Sequence, residues 1–154
     1  VKTLMSNIHE IEEQALQSDL IIGAVLVHGA RAPRLISNSL VKSMKPGSVL
    51  VDIAIDQGGC FEDSRPTTHA EPTYKVHESI FYCVANMPGA VPFTSTYALS
   101  NATLRYVTAL ADKGWKEALR HDAGLALGLN VHEGAIYYRA VAEALGLESR
   151  SIRF

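Results

Sequence analysis

The sequence has little of what marks a secreted, membrane-spanning or nucleic-acid-binding chain. It carries two cysteines in 154 residues, Cys60 and Cys83, too few for a disulfide scaffold. Both read as reduced thiols of a cytoplasmic protein, used as small core residues. No apolar run reaches the ~18 residues that a membrane span requires, so no membrane partner is expected. Fourteen basic residues against sixteen acidic ones leave a net charge of −2 and no electrostatic reason to expect a nucleic acid. Residues 1–6 have no apolar stretch followed by a cleavage site, so they do not read as a signal peptide. They also lack a starting Met and read like the middle of something longer. The six histidines have no metal-ligand spacing. His132-Glu133 opens like the zinc-protease motif, but the second histidine would fall at Ile136, so no metal is expected. There is no G-x-S-x-G, no P-loop and no G-x-G-x-x-G.

What the chain does have is apolar content, 47% against 19% charged, enough for a packed core. Asn7 suits a helix cap, with Ile8, Ile11, Ala15 and Leu16 following on one helical face. Residues 19–27 form an apolar run without alternation, the signature of a strand buried on both faces in a parallel sheet. A loop at 29–33 leads to a short helix over 39–44, capped by Ser37 or Asn38 and ended by Lys45-Pro46-Gly47. Further buried strands are expected at 48–55 and 79–85, separated by a proline-bearing connection too irregular for a helix. The order helix, strand, helix, strand, loop, strand predicts an α/β fold, part of a doubly wound, Rossmann-type parallel sheet. The breaker cluster Met87-Pro88-Gly89-Ala90-Val91-Pro92 marks a domain junction, dividing the chain into 1–89 and 90–154. Beyond it, helices are expected at 94–112 (stopped by Lys113-Gly114), 115–120 and 132–145 (ended by Gly146).

Open α/β sheets bind ligands where loops leave the carboxyl ends of the strands. Three segments, 25–34, 54–60 and 85–89, end strands in this reading and are expected along one edge. In the second, Asp56 precedes Gly58-Gly59, which permit a tight turn or a close backbone approach. A carboxylate there can accept a proton or steady a cation, or it can be an ordinary turn aspartate. Asp52, by period two, can share a face with Ala54 and Asp56, or be a buried aspartate bonded to backbone. Asn86 offers a donor and an acceptor at the next strand end, suited to a carboxamide, or is a turn residue before Pro88.

Longer strings carry a family resemblance. Val25-Leu26-Val27-His28-Gly29-Ala30-Arg31-Ala32-Pro33-Arg34-Leu35-Ile36 is one, and Met44-Lys45-Pro46-Gly47-Ser48-Val49-Leu50-Val51-Asp52-Ile53-Ala54-Ile55-Asp56-Gln57-Gly58-Gly59-Cys60-Phe61-Glu62 is another. With Ser64-Arg65-Pro66-Thr67-Thr68, Phe81-Tyr82-Cys83-Val84-Ala85-Asn86-Met87-Pro88-Gly89-Ala90-Val91-Pro92, Thr94-Ser95-Thr96-Tyr97-Ala98-Leu99 and Gly128-Leu129-Asn130-Val131-His132-Glu133-Gly134, the chain closely resembles bacterial alanine dehydrogenases over nearly its whole length.

That resemblance implies reversible, NAD-linked oxidative deamination of L-alanine to pyruvate and ammonia, in a homohexamer. It implies that residues 1–89 are the C-terminal half of the NAD-binding domain and that 90–154 return as helices to a substrate domain. Asp56 resembles the family's catalytic aspartate beside the nicotinamide, and Asn86 and Met87 the segment next to nicotinamide and substrate, with Val84 on its strand. Val25 and Leu35 resemble walls near the adenosine and ribose, Ile53 an apolar contact on the nicotinamide side, and Ser6 a cofactor-contacting serine. The family's Gly-rich phosphate turn, its ribose-reading acid and its substrate-side lysine, arginine and histidine would all precede Val1. By this reading the chain is the C-terminal portion of the enzyme, inactive alone. His28, where the family often has proline, and Phe93, where it often has a basic residue, depart from the pattern. Two alternatives stay open: the NAD-binding subunit of proton-translocating transhydrogenase, which shares the Lys-Pro-Gly-Ser-Val and Gln-Gly-Gly features, and a non-catalytic nucleotide-binding module.

Overall fold

In the computed structural model of the chain, in which residues 1–25, 27 and 33–152 are described, Asn7 opens the first helix. Its side-chain oxygen accepts from the Glu10 amide at 2.9 Å, one of the amide groups a helix start leaves without an internal partner. The helix, α1, runs Ile8–Gln17 and delivers the chain to strand β1, Leu20–Gly23. The loop expected at 29–33, apart from Pro33, and His28 lie outside the described residues. Helix α2, Asn38–Ser43, takes Ser37 as its cap, whose hydroxyl accepts from the Leu40 amide. Strand β2, Val49–Asp52, follows, then a hairpin of β3, Thr73–Val76, and β4, Ser79–Tyr82.

These strands form one sheet in the order β1-β2-β4-β3, with β1, β2 and β4 parallel and β3 antiparallel on the edge. The register sets Ile21 beside Leu50, Leu50 beside Phe81 and Phe81 beside Tyr74, an apolar row running straight across the sheet. Leu50 and Phe81 are wholly buried, and Phe61 meets Phe81 edge-on at 5.9 Å. Leu40, Val41 and Met44 of the α2 region and Ala15 of α1 belong to the same core, as do Ile36, Ala54, Ile55, Cys60 and Cys83.

The parallel-dominated α/β sheet is the expected one, but several of its details differ. Leu20 and Ile22 are 54% and 56% exposed, so β1, the terminal strand, is not buried on both faces. The second strand stops at Asp52 rather than at 55. The chain then turns into a 3₁₀ segment, Ile55–Gln57, and the period-two face expected to hold Asp52, Ala54 and Asp56 does not form. The stretch read as irregular contains β3, and Thr67 bridges Val84 in parallel beyond the end of β4. Cross-strand partners decided this, since Thr73–Val76 carries no long apolar run of its own.

The described residues divide into two compact units, one up to Ala90 and the other from Val91 onward. In the second unit α3 spans Pro92–His121 and breaks at Gly114, where the backbone leaves the helical region (φ 73°). The stop expected at Lys113-Gly114 falls at this break, which separates two helical segments. A short α4, Ala123–Ala126, and a final α5, Arg139–Leu145, ended by Gly146, complete the helices. The helix expected from 132 is different. The helix begins only at Arg139, and before it stands a two-stranded ribbon, β5 Val131–His132 and β6 Ala135–Ile136, closed by Glu133-Gly134. Both turn residues have positive φ, 48° and 75°, which a helix excludes and a tight hairpin demands. No helix among the described residues is long and apolar enough to cross a membrane.

Candidate active site

Parallel strands put their carboxyl ends at the same edge, so the segments that follow β1, β2 and β4 leave the sheet side by side, with that of β2 in the centre. Beyond the ends of β1 and β2 lies a cavity of about 260 Å³ lined by Ala24, Val25, Ile53, Ala54, Asp56 and Gln57. Two strand ends thus build one wall set: apolar surface from Val25 and Ile53, a carboxylate from Asp56 and an amide from Gln57. The Asp56 side chain belongs to an exposed residue on the 3₁₀ turn. The Gln57 carbonyl oxygen Oε1 is buried and has no hydrogen-bond partner among the described residues.

The turn that holds Asp56 is fixed from below. Asp52, with no exposed surface, accepts the Ala54 amide at 3.1 Å on Oδ1. On Oδ2 it accepts the Cys60 amide at 2.7 Å and the Ser64 hydroxyl at 2.5 Å. One buried carboxylate therefore ties both ends of the 53–60 loop to the strand, and three donors compensate its burial. Gly59 makes this approach feasible: at φ 80°, an added Cβ would lie 2.6 Å from Ser64 Cβ and 2.8 Å from Asp52 Oδ2. Of the two readings open for Asp52, the structure supports the buried, backbone-bonded aspartate.

At the third strand end, Asn86 precedes a 3₁₀ turn over Met87–Ala90, and its main-chain carbonyl accepts from His69 Nε2 at 2.7 Å. Asn86 is exposed and Met87 half-buried. Val84 is only 2% exposed, so its side chain belongs to the interior. Leu35 is exposed and its amide donates to the Cys60 carbonyl at 2.7 Å, tying the chain before α2 to the loop of Asp56. Ser6 is exposed ahead of α1. Of the residues singled out from sequence, Val25, Ile53 and Asp56 share the cavity, whereas Ser6, Leu35, Val84, Asn86 and Met87 are not in its lining.

Two contributors escaped the sequence reading. Gln57 is a glutamine beside an aspartate, which carries no local signal. Ser64 lies 12 residues from the carboxylate it supports, and only the folded loop relates them.

The nearby thiols are free and buried. Burial pushes both Cys60 and Cys83 above the ordinary thiol range, and the charge of Asp52 adds to the effect on each. Tyr74, whose hydroxyl donates to the Asp63 carbonyl and lies 3.5 Å from Cys83 Sγ, is raised by burial and by that thiol contact.

Comparison with known proteins places the chain. Residues 1–139 match the family described as alanine dehydrogenase/PNT, C-terminal domain. An alanine dehydrogenase of Halomonas elongata is 66% identical over 148 residues, 96% of this chain and 40% of that protein. One from Mycolicibacterium smegmatis is 63% identical over 147 residues, again 96% of this chain and 40% of the relative. A solved L-alanine dehydrogenase superposes with a TM-score of 0.76 at 52% identity, covering 92% of this chain and 39% of that one. A transhydrogenase from Sinorhizobium meliloti gives a TM-score of 0.54 at 27% identity, covering 60% of this chain and 26% of that one. The chain thus spans about two-fifths of the length of the curated relatives it matches.

Proposed function

Because the chain belongs to the alanine dehydrogenase/PNT C-terminal domain family, we propose that it serves NAD-dependent, reversible oxidative deamination of L-alanine to pyruvate and ammonia. In this reading residues 1–89 are half of an NAD-binding domain and 90–154 the helices that return to a substrate domain, in a cytoplasmic homo-oligomer, a hexamer by family. The observation that carries it is the meeting of Asp56, Gln57, Val25 and Ile53 in one cavity at the carboxyl edge of the parallel strands, the place where doubly wound sheets take their ligands.

The residues fit a nicotinamide. A volume of about 260 Å³ is below the range of whole drug-sized ligands and suits one ring with its substituent. Val25 and Ile53 supply apolar faces for that ring, and the buried Gln57 oxygen lacks the donor that a carboxamide carries. When bound, the nicotinamide takes up the hydride released from the amino acid. What this chain contributes is position and charge. Asp56, exposed beside the ring site, steadies the cationic imine left by amine oxidation and relays protons as water adds and ammonia leaves. Asn86 and Met87, on the neighbouring strand end, are assigned to the substrate side, and the exposed Leu35 and Ser6 to more distant parts of the cofactor contact, whereas the buried Val84 side chain supports its strand from the interior.

The test is L-alanine-dependent reduction of NAD by the native-length protein, with pyruvate and ammonia reoxidising the reduced cofactor. Turnover in both directions supports the proposal. Binding of NAD with no turnover in either direction would leave a nucleotide-binding module and remove the dehydrogenase reading.

A further inference from the structure

A buried acceptor without a donor is costly, because water is excluded and nothing in the protein replaces it. Asp52, Ser48 and Ser79, the buried polar residues of the first unit, all have partners: Asp52 holds three donors, and the Ser48 and Ser79 hydroxyls meet at 2.7 Å. Gln57 Oε1 is the exception among the described residues, and it belongs to a residue that lines the cavity of Asp56. Its turn is held by the Gln57 amide donating to the Ala54 carbonyl at 2.9 Å and the Gly58 amide donating to Ile55 at 3.1 Å, so the side chain starts from a fixed base.

We propose that Gln57 is a cofactor-positioning residue whose Oε1 accepts an N–H of the nicotinamide carboxamide and so fixes the rotation of the ring in the cavity. The inference rests on the nicotinamide reading above and adds to it the atom that reads the carboxamide. A neutral acceptor is the right chemistry for a neutral amide donor, whereas the carboxylate of Asp56 is matched to the cation formed from the substrate. With Val25 and Ile53 holding the ring only by shape, one directional bond decides which face of the ring meets the amino acid.

The experiment compares two dinucleotides by calorimetric binding to the native-length protein: NAD, and its 3-acetylpyridine analogue, in which a methyl group replaces the amide nitrogen and removes the donor while keeping the carbonyl. The quantity read is the ratio of the two affinities. Gln57→Leu is expected to lower the preference for NAD about tenfold, equivalent to about 1.4 kcal/mol, and to leave analogue binding nearly unchanged. Gln57→Glu keeps an acceptor and should retain the preference, even though its charge shifts both affinities. Thermal unfolding of unliganded Gln57→Leu should match or exceed the parent, since an unsatisfied buried oxygen has been removed. A ratio unchanged by Gln57→Leu, or equal losses for both dinucleotides, overturns the role of Gln57 while leaving the nicotinamide reading in place. A parent protein that binds neither dinucleotide overturns both.

Discussion

At the scale of single residues, the site is an exposed carboxylate held by a buried one. Asp56 is exposed on a loop that Asp52 holds from beneath with three hydrogen bonds. Asp56→Asn is nearly isosteric and removes the charge alone, so the fold and the affinity for NAD should persist. Alanine-dependent turnover should fall about 10²-fold or more, the scale of a lost acid–base group. Steady-state rates and NAD titration of both proteins check this, and near-normal turnover would return Asp56 to the status of a turn residue. Gly59→Ala attacks the support instead. Its Cβ would fall within 2.8 Å of Asp52 Oδ2, at a φ of 80° that alanine disfavours, so something in the loop must shift. A loss of about 2–3 kcal/mol in denaturant unfolding is expected, the range for strain and a disturbed buried network together. At this scale the sequence made Asp56 visible, because an acidic residue before two glycines at a strand exit is a local pattern. The grip of Asp52 was only half visible: an aspartate in an apolar run has to find donors, but which ones depends on Cys60 and Ser64 folding back.

At the scale of elements, local signals succeeded where one segment decides its own structure. Asn7 and Ser37 cap α1 and α2 through their own side chains, and Gly114 and Gly146 interrupt helices where the reading put the stops. They failed where pairing decides. Thr73–Val76 becomes a strand because Ser79–Tyr82 offers an edge, and residues 131–136 become a ribbon rather than a helix start because Glu133-Gly134 turns tightly. That turn can be improved. A two-residue hairpin loop with positive φ at both positions favours Asn-Gly, and Glu133 sits at φ 48°, where glutamate is strained and asparagine is tolerated. Glu133→Asn should therefore stabilise the second unit by roughly 0.5–1 kcal/mol. Chemical denaturation followed by the emission of Trp115, whose ring lies tilted against that of His132 with centroids 4.3 Å apart, reports the change. A lower midpoint would show that Glu133 makes a contact worth more than the backbone strain.

At the scale of the whole molecule, the two units differ in what they bury. Both cysteines, and Tyr74 with them, lie in the unit up to Ala90, and all three are held above their ordinary ionisation range chiefly by burial. The sign of the pH dependence follows. These groups lose a proton more readily when the chain unfolds, so folding keeps a proton that the unfolded chain releases. Their contribution is intact below the unfolded thiol value of 9.0 and is lost as pH rises from there towards the folded values. Each thiol that stays protonated only in the folded state removes about 1.4 kcal/mol per pH unit in that window. Denaturant unfolding followed by thiol accessibility should thus show a midpoint nearly constant from about pH 7 to 8 and falling steeply by about pH 10. The double variant Cys60→Ala, Cys83→Ala should begin from a somewhat lower stability, because small cavities replace two buried sulfurs, yet lose less of it over the same interval when followed by circular dichroism. If parent and variant lose stability in parallel above pH 9.0, the buried thiols are not what makes this unit sensitive to alkali.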